Sequence, residues 1–444
     1  MDRVRRAVGA PLAAVVVGLL ATALAWHRLG PVTRGTVWAE DGGVFLRERV
    51  ALGPVDTLLH PYAGYVHLVP RLVVDLGYAL PAVRYAQVVS LASCLVVGGV
   101  CALVLVLSRD VVRPWPFRLV LAAVPVVLPL APVETSGNAA NLHWYALVLV
   151  PWVFAHRSRT TRGAVALAAV AAAAVLTEPQ AVLFAPLLLL GWSSRRGSAR
   201  ALPVTVATVA AATVQVVTAV THPRTVVPGA PAVRDVLAGY LLRPVAGAWD
   251  PHLGRVLTAV VERGWWVLLV PVAALALVLV AAVVAAPLRA RCVVVAFAVG
   301  SGVVWTAAGL ANGGAGRHWA RPVASMAAIA PQRYDAAAGL LLVSAAVVAA
   351  AVLADPDHWS PPARRTGGPG RLLGALAAWT VVTLVVASAV LHVAPDATRR
   401  SGGPVWAAQM PAAAEQCRVD PSTEVVRVRT APWSAPVPCA WLSR

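Results

Sequence analysis

Residues 163–192 read GAVALAAVAAAAVLTEPQAVLFAPLLLLGW, thirty residues that are apolar apart from Thr177-Glu178-Pro179-Gln180 at their centre. Arg157, Arg159 and Arg162 precede the stretch and Arg195, Arg196 and Arg200 follow it. Positive charge gathers on the cytoplasmic side of a membrane, so both flanks belong there. A single crossing would separate them; two short helices joined at the polar tetrapeptide keep them together. Each arm then covers about 21 Å at ~1.5 Å per residue, less than the ~30 Å hydrocarbon core. The apex comes to lie at membrane depth, where Glu178 must face protein or a cavity and not lipid.

The same reading extends outward along the chain. Of its 444 residues, 59% are hydrophobic, and apolar runs recur at 7–26, 85–107, 119–132, 142–155, 202–220, 265–286, 292–310, 336–354 and 372–392. Nine runs plus the hairpin predict an all-α polytopic membrane protein with eleven spans and an extracytoplasmic carboxyl terminus. The first run follows Met-Asp-Arg-Val-Arg-Arg and has no small-residue cleavage site before Trp26, so it reads as a retained anchor with a cytoplasmic amino terminus. Segments assigned to the cytoplasm hold 17 Arg in 56 residues, whereas those assigned outside hold 20 Arg in 191 together with 15 of the 19 acids, which supports this orientation. The net charge of +18 therefore orients the chain and does not point to nucleic acid. Arg supplies all of the positive charge, Lys is absent, and Ala, Gly and Pro abound, as in proteins of GC-rich bacteria, which places the chain in a bacterial plasma membrane. A bundle over 1–392 with outside loops at 28–84, 221–264 and 311–335, followed by a small tail at 393–444, is the expected division. Cys94, Cys101 and Cys292 fall in spans as core residues, and Cys417 and Cys439 share the tail in the oxidising compartment as a candidate disulfide.

Polar residues with chemical potential gather on the outside. Glu40 and Asp41 stand before Gly42-Gly43, where the backbone is expected to turn and present both carboxylates at the outer face, one of them as a base; a helix cap is the plainer alternative. The segment 46–52 and the stretch 70–81 read as interfacial helices, with His67 and Arg71 spaced to face one anionic headgroup or to anchor the chain at the interface. Gly137-Asn138-Ala139-Ala140-Asn141-Leu142-His143-Trp144-Tyr145, with Glu134 just upstream, opens the 142–155 span; its Asn138, Asn141 and His143 can hold sugar hydroxyls or cap the helix. The loop 311–335 carries Arg317, His318, Arg321, Arg333, Tyr334 and Asp335, and Arg333-Tyr334 sits at the depth of a lipid phosphate.

Taken together, the acidic pair in the first outside loop, the interfacial helices, the Asn-rich mouth of the fourth span, the Thr-Glu-Pro hairpin and the Arg-Tyr before a late span resemble bacterial GT-C type integral membrane glycosyltransferases, as architecture over residues 1–355. The resemblance implies an inverting transferase that moves a sugar from a polyprenyl-phosphate donor to a cell-envelope glycan, lipid or protein. It assigns the base, or a metal-associated carboxylate, to Asp41 with Glu40 beside it. Phosphate binding falls to Arg333 with Tyr334 and to Arg71 with His67, while Asn138, Asn141, His143 and Glu178 are further substrate-binding candidates. A divalent cation, Mg or Mn, is left open as cofactor, because the outside loops carry no Asp-x-Asp motif. A multi-span transporter or flippase is the rival reading and would want ionisable or broken spans in paired halves. A noncatalytic envelope-assembly protein is the third.

Overall fold

The computed structural model describes residues 2–192, 195–225, 228–312, 318–361 and 368–444; Arg317 lies outside them. The chain begins with α1 (Asp2–Arg34), a π-helical turn at Asp41–Leu46, α2 (Arg47–Asp56), α3 (Leu68–Tyr78) and α4 (Tyr85–Leu107). Next come α5 (Trp115–Val127), the single turn α6 (Ala131–Glu134), α7 (Leu142–Ala155), α8 (Thr161–Val175), a 3₁₀ run at Pro179–Gly191 and α9 (Arg195–Thr221). Two short helices, α10 (Val233–Tyr240) and α11 (Leu253–Arg263), separate these from α12 (Trp266–Ala285), α13 (Leu288–Ala311), α14 (Arg333–Leu353) and α15 (Gly368–Leu391). The tail folds as α16 (Trp406–Val419), the antiparallel pair β1 (Val425–Arg429) and β2 (Ser434–Pro438), and α17 (Cys439–Leu442).

Among the described residues, eight helices are long and apolar enough to cross a membrane, and three shorter apolar helices, Leu142–Ala155, Thr161–Val175 and Pro179–Gly191, stand beside them. This is the architecture of an all-α polytopic membrane protein. The span α14 is its axis, with 94% of its apolar window buried, against 6% for α12. The sequence of α14 explains its place: Ala recurs along it, with Gly339 and Ser344, and small side chains let neighbouring helices approach closely. The broad apolar face that α12 leaves uncovered is a surface water would not tolerate.

The hairpin forms where the thirty-residue stretch predicts it, with one difference. Its second arm winds as a 3₁₀ helix of 13 residues, which at ~2.0 Å per residue covers about 26 Å and not the ~20 Å of an α-helix. Thr160 caps the first arm by accepting from Gly163 N–H at 3.0 Å, and Glu178 caps the second by accepting from Gln180 N–H at 2.8 Å. The apex is sewn to the start of α3: Leu68 N–H donates to Leu176 O at 3.2 Å and Val69 N–H to Thr177 Oγ1 at 3.1 Å.

Loops segregate to two ends. At one end Arg159 meets Asp110 at 3.3 Å, Arg289 donates to Leu190 O and Ser360 N–H to Ala285 O. The other end, called here the loop face, gathers the first loop, the hairpin apex, α10, α11, residues 318–332 and the tail. The tail is built into this face. Trp406 and Trp441 are fully buried, their indole N–H groups donating to Ala82 O and Leu80 O at 2.7 and 2.9 Å. Cys417 and Cys439 form a disulfide that joins α16 to α17, while Cys94 and Cys101 are buried free thiols.

Candidate functional site

The first loop arrives at the loop face in a tightly packed form. Its π-helical turn lies against the tail hairpin, and the two glycines make this possible. A Cβ on Gly42 would meet Thr430 Cγ2 at 2.7 Å and Ala435 Cβ at 3.0 Å, and one on Gly43 would meet Trp433 Cε3 at 2.9 Å. The pair was expected to give a sharp turn; it gives a close approach between two segments nearly 400 residues apart.

Asp41 is consequently buried, at 1% exposure, and not presented at the outer face. Its Oδ2 accepts from Ala139 N–H at 3.0 Å and Oδ1 from Ala140 N–H at 2.8 Å, while its own carbonyl accepts from Tyr85 O–H at 2.8 Å. Burial raises its pKa from 3.8 to about 7, opposed by the two amide hydrogen bonds and by the Arg400 charge. Arg400, in the tail, is buried as well. It donates to Thr36 O at 3.1 Å and to Ser136 O at 2.8 Å, tying together the segments on either side of Asp41, and burial lowers its pKa to about 10.

Glu40 turns toward the start of α14 and is itself buried, at 9% exposure. Its Oε1 accepts from Arg333 Nη1 at 3.1 Å, and Oε2 is buried without a hydrogen-bond partner. The first turn of α14 presents Arg333, whose side chain is 29% exposed. A second carboxylate, Glu134, lies with Oε1 3.9 Å from the same Nη1, and its Oε2 accepts the Arg333 backbone N–H at 3.2 Å and stands 3.8 Å from Arg399 Nη1. Two carboxylates and two guanidiniums thus alternate at the loop face. The cation that Glu40 and Glu134 share is Arg333, and no group of three His, Cys, Asp or Glu side chains among the described residues could hold a metal. The one Asp-x-Asp of the chain, Asp355–Asp357, lies at the opposite end, where Asp355 holds His358 at 2.7 Å.

An aromatic wall continues from Arg333. Tyr334 meets Trp144 edge to face at 5.6 Å, Trp144 lies 4.1 Å from the His143 ring, and His143 Nδ1 makes a short contact with Glu178 Oε2. His143 faces His67 at 6.4 Å, and His67 stacks on Tyr65 at 3.9 Å. Burial, with the His143 and Arg71 charges adding to it, holds the His67 pKa well below the ordinary imidazole value, so the ring is neutral. His67 and Arg71 were expected to face a headgroup from the interface; both are instead buried, at 3% and 2%. The Arg71 guanidinium lies 2.7 Å from Glu48 and over the Phe45 ring at 5.1 Å, yet its nitrogens make no directed hydrogen bond.

Asn138 and Asn141 also depart from expectation. Asn138 Nδ2 donates to Glu134 O at 2.7 Å, and Asn138 Oδ1 accepts from both the backbone N–H and the side chain of Asn141. Both amides therefore build the turn that aims the Ala139 and Ala140 N–H groups at Asp41, and Asn141, at the N-cap of α7, makes no side-chain cap hydrogen bond. Gly137 starts that turn with φ +68°.

The structure thus brings Glu40, Asp41, His67, Arg71, Asn138, Asn141, His143, Glu178, Arg333 and Tyr334 into one connected cluster. It adds Glu134, Arg399, Arg400 and Trp144 to the residues expected there. Three buried polar atoms of this cluster have no hydrogen-bond partner: Glu40 Oε2, Asn141 Oδ1 and Trp144 Nε1. Such atoms cost free energy unless something else satisfies them, and each asks for a reason. No protein-family model matches the chain, and neither a curated protein nor a solved structure matches it significantly.

Proposed function

We propose that the chain is an integral membrane glycosyltransferase of GT-C type that moves a sugar, with inversion, from a polyprenyl-phosphate donor to a cell-envelope acceptor on the extracytoplasmic face of a bacterial plasma membrane. In this reading the three short apolar helices complete eleven spans, the loop face is the outer face, and the amino terminus is cytoplasmic. The observation that carries the proposal is the half-open Arg333 guanidinium set between Glu40 and Glu134, beside the unpartnered Glu40 Oε2 and the aromatic wall that Tyr334 begins.

The chemistry follows from that arrangement. A donor phosphate at Arg333 competes with Glu40 for the guanidinium, since both are anionic oxygen acceptors. Glu40 is thereby released to take the proton of an acceptor hydroxyl. The acceptor oxygen forms its bond to the anomeric carbon as the bond from that carbon to the phosphate oxygen breaks; the electron pair leaves with the phosphate, whose charge Arg333 and Arg399 stabilise. Asp41, expected as the base, has both oxygens committed to backbone amides, and its part is to hold the loop that carries Glu40. An apolar cleft of about 250 Å³ between α1, α5 and α15, lined by Leu24, Val120, Val127, Val385 and Val390 with Arg28 at its edge, offers space for a segment of isoprenoid chain. Leu29, next to Arg28, packs on Gly137 of the turn that holds Asp41.

The test is transfer of radiolabelled sugar from a panel of polyprenyl-phosphate donors, in membranes carrying the wild type or Glu40→Gln, Arg333→Ala or Asp41→Asn at matched expression. Loss of transfer in Glu40→Gln, with donor still bound, supports the assignment. Absence of transfer by the wild type from every donor refutes it.

A further inference from the structure

Beyond Tyr334 the lining changes from charged to aromatic, and the change carries information about the second substrate. Glu178 is fixed by accepting from Gln180 N–H at 2.8 Å and contacts His143 Nδ1 with its other oxygen. That contact occupies Nδ1 and leaves Nε2 as the free nitrogen of the imidazole ring. Among the described residues Nε2 has no hydrogen-bond partner. The neighbouring Trp144 Nε1 is a buried donor that meets no acceptor. Around these two groups stand the faces and edges of Tyr65, His67 and Tyr334, with Tyr65 6.2 Å from His143.

We propose that a neutral sugar ring binds against this wall, with His143 Nε2 hydrogen-bonded to one hydroxyl, Trp144 Nε1 donating to another oxygen, and the aromatic rings covering the apolar ring face. An unpartnered imidazole nitrogen, an unpartnered indole N–H and several aromatic surfaces suit a polyhydroxylated, uncharged ring, whose hydroxyls both donate and accept. A phosphate would prefer the guanidiniums of Arg333 and Arg399. Burial holds His67 neutral, which keeps this wall free of positive charge from that side. Arg71 lies farther back, over Phe45 and against Glu48. Only the identification of this ring as the acceptor rests on the transferase reading, and it narrows the acceptor to a glycan.

The experiment is saturation-transfer NMR on the full-length protein in lipid nanodiscs, with methyl α-D-glucopyranoside and methyl β-D-ribofuranoside as probes. The wild type is expected to saturate at least one of them. His143→Ala and Trp144→Phe should weaken that probe about tenfold, as the loss of a hydrogen bond does, and the near-isosteric Glu178→Gln should weaken it severalfold without disturbing the fold. No saturation of either glycoside by the wild type, or equal saturation by all variants, overturns the site. Glycoside binding that depends on His143, in a protein that transfers no sugar, would uphold the site and remove the transferase reading; transfer without such binding would do the reverse.

Discussion

Replacing Asp41 by Asn tests how the site is built, because the wild-type carboxylate is both buried and hydrogen-bonded. Burial lifts its pKa from 3.8 to about 7 in the folded protein. Between those two values the folded state holds a proton that the unfolded state has lost. The sign follows from linkage: the contribution is fully present below pH 3.8 and is lost as pH rises through about 7. At ~1.4 kcal/mol per pH unit, the interval from pH 5 to pH 8 removes about 2–3 kcal/mol of wild-type stability through this one group. An asparagine amide does not titrate, so the Asp41→Asn variant lacks this dependence, although it carries a pH-independent cost of about 1–3 kcal/mol because its amide N–H₂ opposes one of the two backbone donors. Thermal unfolding of both proteins in the same detergent at pH 5, 6.5 and 8 provides the assay. The wild type should lose stability relative to Asp41→Asn as pH rises. A difference that stays constant, or that moves in favour of the wild type toward pH 8, would refute the account of Asp41 as a buried carboxyl with a raised pKa.

Three further outcomes are expected. Gly42→Ala should loosen the tail hairpin from the first loop, because its methyl would stand 2.7 Å from Thr430 Cγ2; a cost of about 1–3 kcal/mol and faster proteolysis within 420–444 are the readouts. Reduction of the Cys417–Cys439 bridge, or Cys417→Ser, should lower stability by about 3 kcal/mol on chain-entropy grounds for a 22-residue separation, measured as a drop in unfolding temperature on adding reductant that the Ser variant no longer shows. Arg243 and Asp335 pair at 2.5 Å with both side chains 2% exposed, so Arg243→Met alone should cost about 3–5 kcal/mol and Arg243→Met with Asp335→Leu distinctly less, as measured by denaturant titration.

Much of this molecule could be read from residue order. Apolar runs and flanking Arg located each of the apolar helices, because hydrocarbon allows a chain almost no other backbone. The Thr177-Glu178 apex was legible for the same reason, since an acid within an apolar run needs a protein partner, which proved to be His143. Arg333-Tyr334 and Glu40 were found from their positions beside spans. What the sequence hid was long-range. Nothing near Asp41 announces that Ala139 and Ala140 will take both its oxygens, or that Arg400, 359 residues later, will supply the opposing charge. Gly42-Gly43 looked like a turn because the tail that presses on them is distant in the chain. Asn138 and Asn141 could cap or bind, and only the placement of Glu134 O decides for the turn. The two tail strands alternate strictly in burial, but each is only five residues long and Pro436 and Pro438 in the second speak against a strand.

The central claim is that Glu40 and Arg333 form the reacting centre of a sugar transferase. Its most direct test is radiolabelled transfer from polyprenyl-phosphate sugars by wild type, Glu40→Gln and Arg333→Ala in matched membranes. The account predicts transfer by the wild type, a fall of about 10²–10⁴-fold in Glu40→Gln with donor affinity retained, and loss of donor binding in Arg333→Ala. Undiminished transfer by Glu40→Gln, or no transfer by the wild type from any donor, would contradict it.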